Sequence, residues 1–336
     1  MADRKPLRSV LVIHDTPSDV QSMLAARFPD LEIFYAAAPQ EVIPALESVH
    51  PQAVLSIKHS GFPGPAHRPA IDYPSVVWVH AGNSGYDHFV PFDQTRVHLT
   101  TSVGVLARFL AETAMAGILA LNNNLLRFAH QQRERIWQPR TFRPLYGQVL
   151  LVVGLGAIGN FLAANARSLG MHVIGIRRHY TESLAAHECH PPEALPELVG
   201  RADVVSLHVR LNEETEGMVD AALLRALKPG AILVNTSRGR VVEESALIDA
   251  LREGRLAGAY LDVFEQEPLP PGSPLWSMPN VLVSPHTSDN VVDWPQRMAG
   301  LFADNIDRWR SGKPLLNEIQ LPPASSAVQE RRVLNV

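Results

Sequence analysis

Short apolar stretches alternate with segments of helical spacing along most of this 336-residue chain. Residues 18–28 show helical spacing and begin with Ser18, a residue type favoured as a helix N-cap. Strands that alternate with helices predict a parallel sheet. In the first hundred residues, strands are predicted at 10–14, 31–36, 53–57, 76–80 and 96–100.

The stretch HSGFPGPAHRP, residues 59–69, interrupts this pattern. It is rich in proline and glycine, so we predict no regular element there.

A long helical region, residues 103 to about 137, separates the first series of strands from a second. The second series has the layout of a complete doubly wound sheet. Its strands are predicted at 150–154, 172–176, 204–209, 231–237, 258–263 and 281–286, and its helices at 159–169, 220–226 and 244–252, with a last helix at 292–309. We therefore predict an α/β protein with two Rossmann- or flavodoxin-like domains, whose parallel sheets flank a cleft.

Composition and charge narrow the class of protein. The formal net charge of −4 gives no reason to expect nucleic acid or an anionic membrane as a partner. Cys189 is the single cysteine, so no intrachain disulfide can form and a reducing compartment fits. The N-terminus lacks the pattern of a signal peptide. Residues 109–126 are apolar, but Glu112 and three asparagines interrupt them, so we predict a buried helix and a cytoplasmic protein.

A glycine motif, GLGAIG, directly follows the strand at 150–154 and directly precedes a helix. In a dinucleotide-binding unit, Gly154 permits the tight turn, Gly156 lets a pyrophosphate approach the backbone, and Gly159 lets the helix pack on the strand. The phosphate then lies at the positive end of the helix. The alternative is a glycine-rich turn in an α/β protein that binds no dinucleotide.

The residues after the next strand indicate which dinucleotide is bound. An NAD-binding unit places Asp or Glu there, hydrogen-bonded to the adenosine ribose. This chain has Arg177 and Arg178 instead. A carboxylate would repel the 2′-phosphate of NADP(H), whereas a guanidinium binds a phosphate through paired hydrogen bonds. The preferred cofactor is therefore NADP(H), and NAD(H) is a possible one. The alternative is that both arginines are solvated surface residues.

Three further side chains lie at or just past predicted strand ends, the edge where open α/β sheets bind ligands: Arg238, Glu267 and His286. Together they suit hydride chemistry on a 2-oxo acid. Arg238 would hold the substrate carboxylate, His286 would give a proton to the carbonyl oxygen, and Glu267 would raise the pKa of that histidine. Taken singly, the first two could be surface groups and the histidine a strand-end cap.

These motifs resemble, in order, those of the D-isomer-specific 2-hydroxyacid dehydrogenases, from about Gly82 to near Asn317. The matching segments are SGYDHF, the LAET region, GLGAIG, ADVVSLHV, LKPGAILVNTSRGRVVEESAL, LAGAYLDVFEQEPLP and NVLVSPHTS. The resemblance implies that Arg238, Glu267 and His286 are the catalytic residues. It also implies a substrate-binding domain of residues 1–102 plus 292–336 and a dinucleotide-binding Rossmann domain of residues 103–291.

Other contacts are implied by the same resemblance. The substrate contacts are Asn83, Ser84, Gly85 and Arg238, and the pyrophosphate turn includes Ala157 and Ile158. The adenosine side is lined by Val209, Arg210 and Thr215. The residues beside the nicotinamide or its ribose are Thr236, Ser237 and Asp262. Asp262 could instead be a plain strand-end acid. Arg210 stands where the family usually has proline, and could add positive charge near the adenosine phosphate or face solvent.

The expected reaction is NADPH-dependent reduction of glyoxylate, hydroxypyruvate or a similar small 2-oxo acid to a D-2-hydroxy acid. Glu267 argues against formate oxidation, because formate dehydrogenases of this superfamily carry Gln there. A dinucleotide-sensing, corepressor-like binding protein and a phosphite-type dehydrogenase remain alternatives. Relatives dimerise through the region after residue 103, so a homodimer is expected. No metal is expected, since residues 187–190, HECH, form no known ligand motif and lie in a predicted loop.

Overall fold

The computed structural model describes residues 6–58, 62–83, 85–178 and 185–321. Its two parallel sheets confirm the predicted α/β class. The described residues divide into two compact units, each built on one sheet. One unit takes the chain up to Val105 and again from Val292, and the other takes Leu106–Val291. The sequence had placed the first division three residues earlier, after residue 102.

The first unit has a five-stranded sheet in the order β2-β1-β3-β4-β5. Strand β1, second in this order, is buried throughout because it pairs in parallel with a strand on each side, and its residues are apolar apart from Ser9. The order is that of the flavodoxin-like doubly wound sheet. The strands are β1 Ser9–Ile13, β2 Glu32–Ala36, β3 Ala53–Ser56, β4 Trp78–Ala81 and β5 His98–Thr101.

The helices of this unit correct two details of the sequence analysis. Pro17 occupies the N-cap position of the first helix, so Ser18 is the first helical residue and caps nothing. The prediction of no regular element in residues 59–69 is wrong: one single-turn helix lies within this stretch, at Gly64–His67, and a second begins at its last residue, Pro69. Residues 59–61 lie outside the described residues. The helices are α1 Ser18–Arg27, α2 Val42–Val49, α3 Gly64–His67 and α4 Pro69–Asp72.

The second unit has a seven-stranded parallel sheet in the order β12-β11-β10-β9-β6-β7-β8. The order reverses beside β6, which is the topological switch point of a doubly wound sheet. One strand was missed: residues 188–190, assigned to a loop, pair in parallel with β7. The strands are β6 Val149–Val153, β7 His172–Ile176, β8 Glu188–His190, β9 Val204–Leu207, β10 Ala231–Asn235, β11 Leu256–Leu261 and β12 Val281–Val283.

The long helical region predicted at 103–137 is two helices. The backbone of Asn124 adopts the left-handed conformation, with φ 58°, and this ends one helix and begins the next. The helices of this unit are α5 Ala107–Asn122, α6 Leu125–Glu134, α7 Ala157–Ser168, α8 Leu195–Leu198, α9 Ala221–Ala226 and α10 Glu244–Arg252. The chain then returns to the first unit through α11, Trp294–Arg310. Among the described helices, none has the length and apolar character needed to cross a membrane.

Apolar clusters line both faces of the second sheet. On one face, α5 and α7 pack against β6, β7 and β11, and on the other face α9 and α10 pack against β10 and β11. Because all seven strands are parallel, their carboxyl ends share one edge. The loops that carry the predicted cofactor and catalytic residues all leave from that edge.

Candidate active site

The turn between β6 and α7 depends on two glycines for its own geometry. Gly154 has φ +102°, and a Cβ placed on it would lie 2.4 Å from the carbonyl oxygen of His208. A Cβ on Gly159 would lie 2.4 Å from the carbonyl oxygen of Gly154. The backbone N–H groups of Gly154 and Leu155 both donate to Ile176 O, at 3.0 and 2.8 Å, which ties the turn to β7.

Gly156 differs from these two glycines, because a Cβ placed on it would meet nothing within 4 Å. It is the N-cap of α7, where no side chain satisfies the first N–H groups of the helix. Next to it, Ala157 is exposed, whereas Ile158 packs into the apolar cluster beneath. A turn that is exposed and bare of side chains at a helix N-terminus fits the pyrophosphate of a dinucleotide.

Asn160 braces this turn and was not recognised in the sequence. Its side-chain Nδ2 donates to the carbonyl oxygens of Leu155 and Gly156, at 3.2 and 2.7 Å. The turn is therefore fixed by the first helical turn of α7 before any ligand binds.

The two arginines that replace the acid follow β7 directly. The backbone N–H of Arg177 donates to His190 O at 3.0 Å, so this residue continues the pairing with β8. The guanidinium of Arg178 is exposed and forms an ion pair with Glu214. Glu214 was not singled out in the sequence, and it brings Arg178 beside the loop that follows β9.

That loop, residues 208–215, holds the other predicted adenosine-side residues. Thr215 Oγ1 lies 2.5 Å from Arg210 O and accepts the N–H of Asn212 at 2.9 Å. Asn212 Oδ1 accepts the N–H groups of Glu214 and Thr215, each at 3.0 Å. Thr215 thus shapes the loop in this structure. Val209, half-buried, packs on the apolar cluster under the sheet.

The end of β10 is organised by Asn235, another residue that the sequence analysis missed. Its buried Oδ1 accepts both the N–H and the hydroxyl of Ser237, at 3.0 and 2.7 Å. Its Nδ2 donates to Arg238 O at 3.0 Å, and the Arg238 guanidinium donates to Ser237 O at 2.7 Å. Thr236 is buried beside it, 3.5 Å from the ring of His208.

His208 is a half-buried histidine directly after β9. Its Nε2 lies 2.9 Å from Ser206 Oγ, and its N–H donates to Val153 O at 2.7 Å. Burial lowers the pKa of His208 to about 4, so the ring is neutral at physiological pH. It supports the backbone under the glycine turn and cannot act as the acid.

Gly239 lets the loops after β10 and β11 touch. A Cβ on Gly239 would lie 1.9 Å from both the carbonyl carbon and the oxygen of Phe264. Only glycine permits this contact, which places the arginine loop against the segment that leads to Glu267.

His286 and Glu267 form a direct pair in this structure. His286 Nδ1 lies 2.7 Å from Glu267 Oε2, and Glu267 Oε1 accepts the N–H of Phe264 at 3.1 Å. The carboxylate accepts from Nδ1, so the proton at Nε2 is the one that can be transferred.

The charges around this pair favour a protonated histidine. The hydrogen bond to Glu267 raises the pKa of His286, against burial, which lowers it. The charges of Glu267 and Asp262 raise the pKa of His286 further, while Arg238 lowers it. Burial alone would raise the pKa of Glu267, but its hydrogen bond with His286 and that ring's charge hold the pKa below its ordinary value.

Asp262 has both carboxylate oxygens on the loop that carries His286. Oδ1 accepts the N–H of Thr287 at 3.0 Å and the hydroxyl of Ser284 at 2.5 Å, and Oδ2 accepts the N–H of Ser288 at 3.2 Å. The carbonyl oxygen of Asp262 accepts the N–H of His286 at 2.8 Å. In this structure, the buried acid orients the loop that carries His286.

The predicted substrate loop belongs to the first unit, just after β4. Asn83 Oδ1 accepts the N–H of Lys58 at 2.9 Å, and Asn83 O accepts the N–H of Ser102 at 3.2 Å. Gly85 is partly buried, and Ser84 lies outside the described residues. Their substrate contacts stay predictions.

The histidines around β8 surround one acid. Glu188 lies 2.7 Å from His172, 3.2 Å from His190 and 2.5 Å from Arg201. Across the described ranges, no group of three or more His, Cys, Asp or Glu side chains is placed to hold a metal ion.

A parallel sheet with a glycine turn at its switch point is the architecture of a dinucleotide-binding domain. Residues 115–288, slightly more than half of the chain, match the family described as D-isomer specific 2-hydroxyacid dehydrogenase, NAD binding domain. The chain belongs to this family of NAD(P)-binding enzymes, which confirms the resemblance.

Individual relatives agree with this assignment. The chain is 39% identical over 241 residues to a glyoxylate reductase of Korarchaeum cryptofilum, covering 68% of this chain and 71% of that protein. A D-isomer specific 2-hydroxyacid dehydrogenase of Xanthobacter autotrophicus Py2, solved with NADPH and MES, is 31% identical with a TM-score of 0.78, covering 94% of this chain and 98% of that one. An NADPH-dependent glyoxylate/hydroxypyruvate reductase of Sinorhizobium meliloti, solved with NADP and sulfate, is 25% identical with a TM-score of 0.79, covering 93% and 98%.

Proposed function

We propose that this protein uses NADPH to reduce a small 2-oxo acid of the glyoxylate or hydroxypyruvate type to the D-2-hydroxy acid. The observation that carries the proposal is the 2.7 Å pair of His286 and Glu267 on the sheet edge that also bears Arg238. The similarity to the glyoxylate reductase of Korarchaeum cryptofilum supports a small substrate.

The side chains divide the reaction among them. The nicotinamide, when bound, supplies the hydride. His286 holds a proton at Nε2 and gives it to the carbonyl oxygen of the substrate as that oxygen gains charge. Glu267 keeps the ring oriented and protonated through Nδ1, and Arg238 holds the substrate carboxylate and polarises the ketone.

The preference for NADPH rests on the charge after β7. Arg177 and Arg178 occupy the position at which NAD-binding domains have a ribose-binding acid. Such an acid would repel a 2′-phosphate. Arg178 is already fixed by Glu214, so a phosphate at this position would share its guanidinium. The Xanthobacter and Sinorhizobium structures were solved with NADPH and NADP, which supports the same choice here.

The test is the rate of NADPH and NADH consumption against 2-oxo acids from glyoxylate to phenylpyruvate. We expect turnover of the small acids with NADPH and a much slower rate with NADH. Replacing Arg177 by Asp and Arg178 by Ala should weaken the binding of NADPH and shift the preference toward NADH by about tenfold or more. That factor corresponds to the free energy of one charge-assisted hydrogen bond. The matched control is Arg133→Ala on α6.

Two results would contradict the proposal. An unchanged cofactor ratio in the Arg177/Arg178 variant would remove the argument from the 2′-phosphate. No turnover with either cofactor, in folded protein that still binds NADPH, would favour the dinucleotide-sensing alternative.

We also propose a homodimer formed through α5, α6 and the segment that follows them. Within the described residues, that segment exposes large apolar side chains on a polar background: Trp137 is 96% exposed, Phe142 54% and Ile136 49%. Leu125 on α6 is 50% exposed. A second copy of the chain is the occupant expected to cover them.

A further inference from the structure

Helix α5 makes room for the ring of a tyrosine on β11. A Cβ placed on Gly117 would lie 2.2 Å from Cδ1 of Tyr260, and Gly117 is buried in the middle of the helix. Glycine costs helix stability at such a position, by about 1 kcal/mol relative to alanine. The close approach gives the reason for the glycine: the ring lies directly against the helix backbone.

The hydroxyl of Tyr260 reaches two serines that flank His286. Tyr260 Oη lies 3.0 Å from Ser284 Oγ and 3.1 Å from Ser288 Oγ. Tyr260 is 2% exposed and Ser288 3%, so these hydroxyls have little access to water. The burial of Tyr260 raises the pKa of its phenol, which therefore stays protonated.

Proton counting fixes the direction of these hydrogen bonds. Ser284 Oγ also lies 2.5 Å from Asp262 Oδ1. A hydroxyl has one proton and a carboxylate can only accept, so Ser284 donates to Asp262 and accepts from Tyr260. Tyr260 in turn accepts from Ser288. The result is one directed chain, from Ser288 through Tyr260 and Ser284 to the acid.

This chain spans the catalytic histidine. His286 lies midway between Ser284 and Ser288, and its backbone is left-handed, with φ 48°. Residues other than glycine adopt this conformation uncommonly, and the hydrogen bonds around the loop favour it here. The hydroxyl of Thr113 on α5 lies 3.3 Å from Ser288 O, a second contact from the same helix.

We propose that Tyr260, seated against Gly117 of α5, is a positioning residue that holds the loop of His286 in the geometry needed for proton transfer. The inference rests on the proposed role of His286. Among the described residues, the hydroxyl of Tyr260 bonds to Ser284 and Ser288 and forms no hydrogen bond with Glu267 or His286. It acts through its hydrogen bonds to Ser284 and Ser288, on either side of His286, which keep Nδ1 of the histidine in contact with the Glu267 carboxylate.

The test is Tyr260→Phe, which keeps the ring and removes only the hydroxyl. Ser284 then loses its donor and Ser288 its acceptor, inside the protein. We expect kcat for the reduction to fall about five- to tenfold, the rate equivalent of one buried hydrogen bond, with the KM for NADPH unchanged. We also expect the alkaline limb of the pH profile to move to lower pH, because a looser contact with Glu267 raises the pKa of His286 less.

The other charges near His286, those of Asp262, Arg238 and Asp289, are left in place by this substitution. The matched control is Tyr146→Phe, on a tyrosine of the same unit that is 79% exposed and should change nothing. Ser288→Ala should reproduce part of the effect and Ser288→Thr should restore it.

A second pair of variants tests the packing of the Tyr260 ring against Gly117. Gly117→Ala should displace Tyr260 and lower kcat in the same way. Gly300→Ala, also within a helix but with nothing within 4 Å of the added Cβ, should leave kcat unchanged.

The outcomes separate this inference from the proposed function. Turnover retained in His286→Gln would refute the proposed acid, whatever Tyr260 does. An inactive His286→Gln together with wild-type kcat and pH profile in Tyr260→Phe would overturn only the positioning role. A lower melting temperature with kcat and pH profile unchanged would likewise overturn it, since that is the mark of a structural residue.

Discussion

His286 shows how one side chain is given its chemistry by its neighbours. Its backbone is held in the left-handed region by Asp262, whose carbonyl oxygen accepts the His286 N–H. Its ring is oriented by Glu267, which bonds Nδ1 and leaves Nε2 for the proposed transfer of a proton to the substrate. The same carboxylate raises the pKa of the ring, so orientation and protonation have one cause.

Replacing Glu267 by Gln should lower kcat for reduction by roughly 10- to 100-fold, part of what a positioned general acid contributes. The amide still accepts from Nδ1, but its neutral oxygen no longer raises the pKa of His286. Reduction needs the protonated ring and is lost as pH rises through that pKa, so the alkaline limb should move to lower pH. For oxidation of the hydroxy acid, which needs the neutral ring, the acid limb should move the same way.

The measurement is kcat/KM against pH for wild type, Glu267→Gln and Glu265→Gln. The last removes an equal charge two residues away and should leave both limbs in place. Limbs that coincide in all three proteins would show that Glu267 does not set the protonation of His286.

The residues that were predicted and those that were missed differ in physical character. Arg238, Glu267 and His286 are charged or titratable side chains after predicted strands, a pattern visible in the sequence. Asn235 and Asn160 are amides that bond to the backbone of their own loops. Such contacts depend on the path of the loop and leave no periodic signal along the chain.

At the scale of elements, the loop after β10 is defined by its contact with the loop after β11. Gly239 faces the Phe264 carbonyl so closely that any Cβ would overlap it. Neither backbone can retreat easily, because Arg238 is tied to Asn235 and Phe264 to Glu267. Displacing one loop therefore displaces both Arg238 and the segment that leads to Glu267.

Gly239→Ala should cost about 1–3 kcal/mol of unfolding free energy, as overpacking does, and most of the turnover. Each kcal/mol corresponds to about 2–4 °C in melting temperature for a unit of this size. Gly272→Ala is the matched control, because a Cβ there meets nothing within 4 Å. Thermal melts and kcat of the two variants check the prediction. Equal behaviour of both would mean that the loops adjust freely.

Elements with a strong period could be predicted from the sequence, and those set by a single residue could not. Helix α10 was placed at its observed bounds, Glu244–Arg252, because its apolar spacing is regular. The break between α5 and α6 depends on the conformation of Asn124, inside a stretch whose composition is helical throughout. Strand β8 has three half-buried polar or sulfur-bearing residues and none of the apolar alternation that indicates a strand.

At the scale of the whole molecule, the expected unit of function is a pair of chains. The segment after α6 exposes Trp137 almost completely and Phe142 by more than half. Burying two such side chains is worth about 1.5–3 kcal/mol each, which is enough to decide between monomer and dimer at micromolar concentration.

Trp137→Ser combined with Phe142→Ser should shift the protein toward the monomer, as measured by light scattering after gel filtration. Trp276→Ser, on a tryptophan of the same unit that is 53% exposed, is the control and should leave the molar mass unchanged. A wild-type protein that elutes as a monomer, or a double variant that remains a dimer, would contradict the interface.

The three glycines of the turn after β6 carry different information about ancestry. Gly154 and Gly159 are demanded by the chain's own backbone, so any descendant that keeps this turn must keep them, whether or not it binds a nucleotide. A Cβ on Gly156 would meet no atom of the described residues within 4 Å, so no contact there demands glycine. In a lineage that no longer bound the cofactor, Gly156 would be expected to be substituted first, by neutral drift. A substitution at this one position would therefore indicate the loss of cofactor binding better than the full motif does.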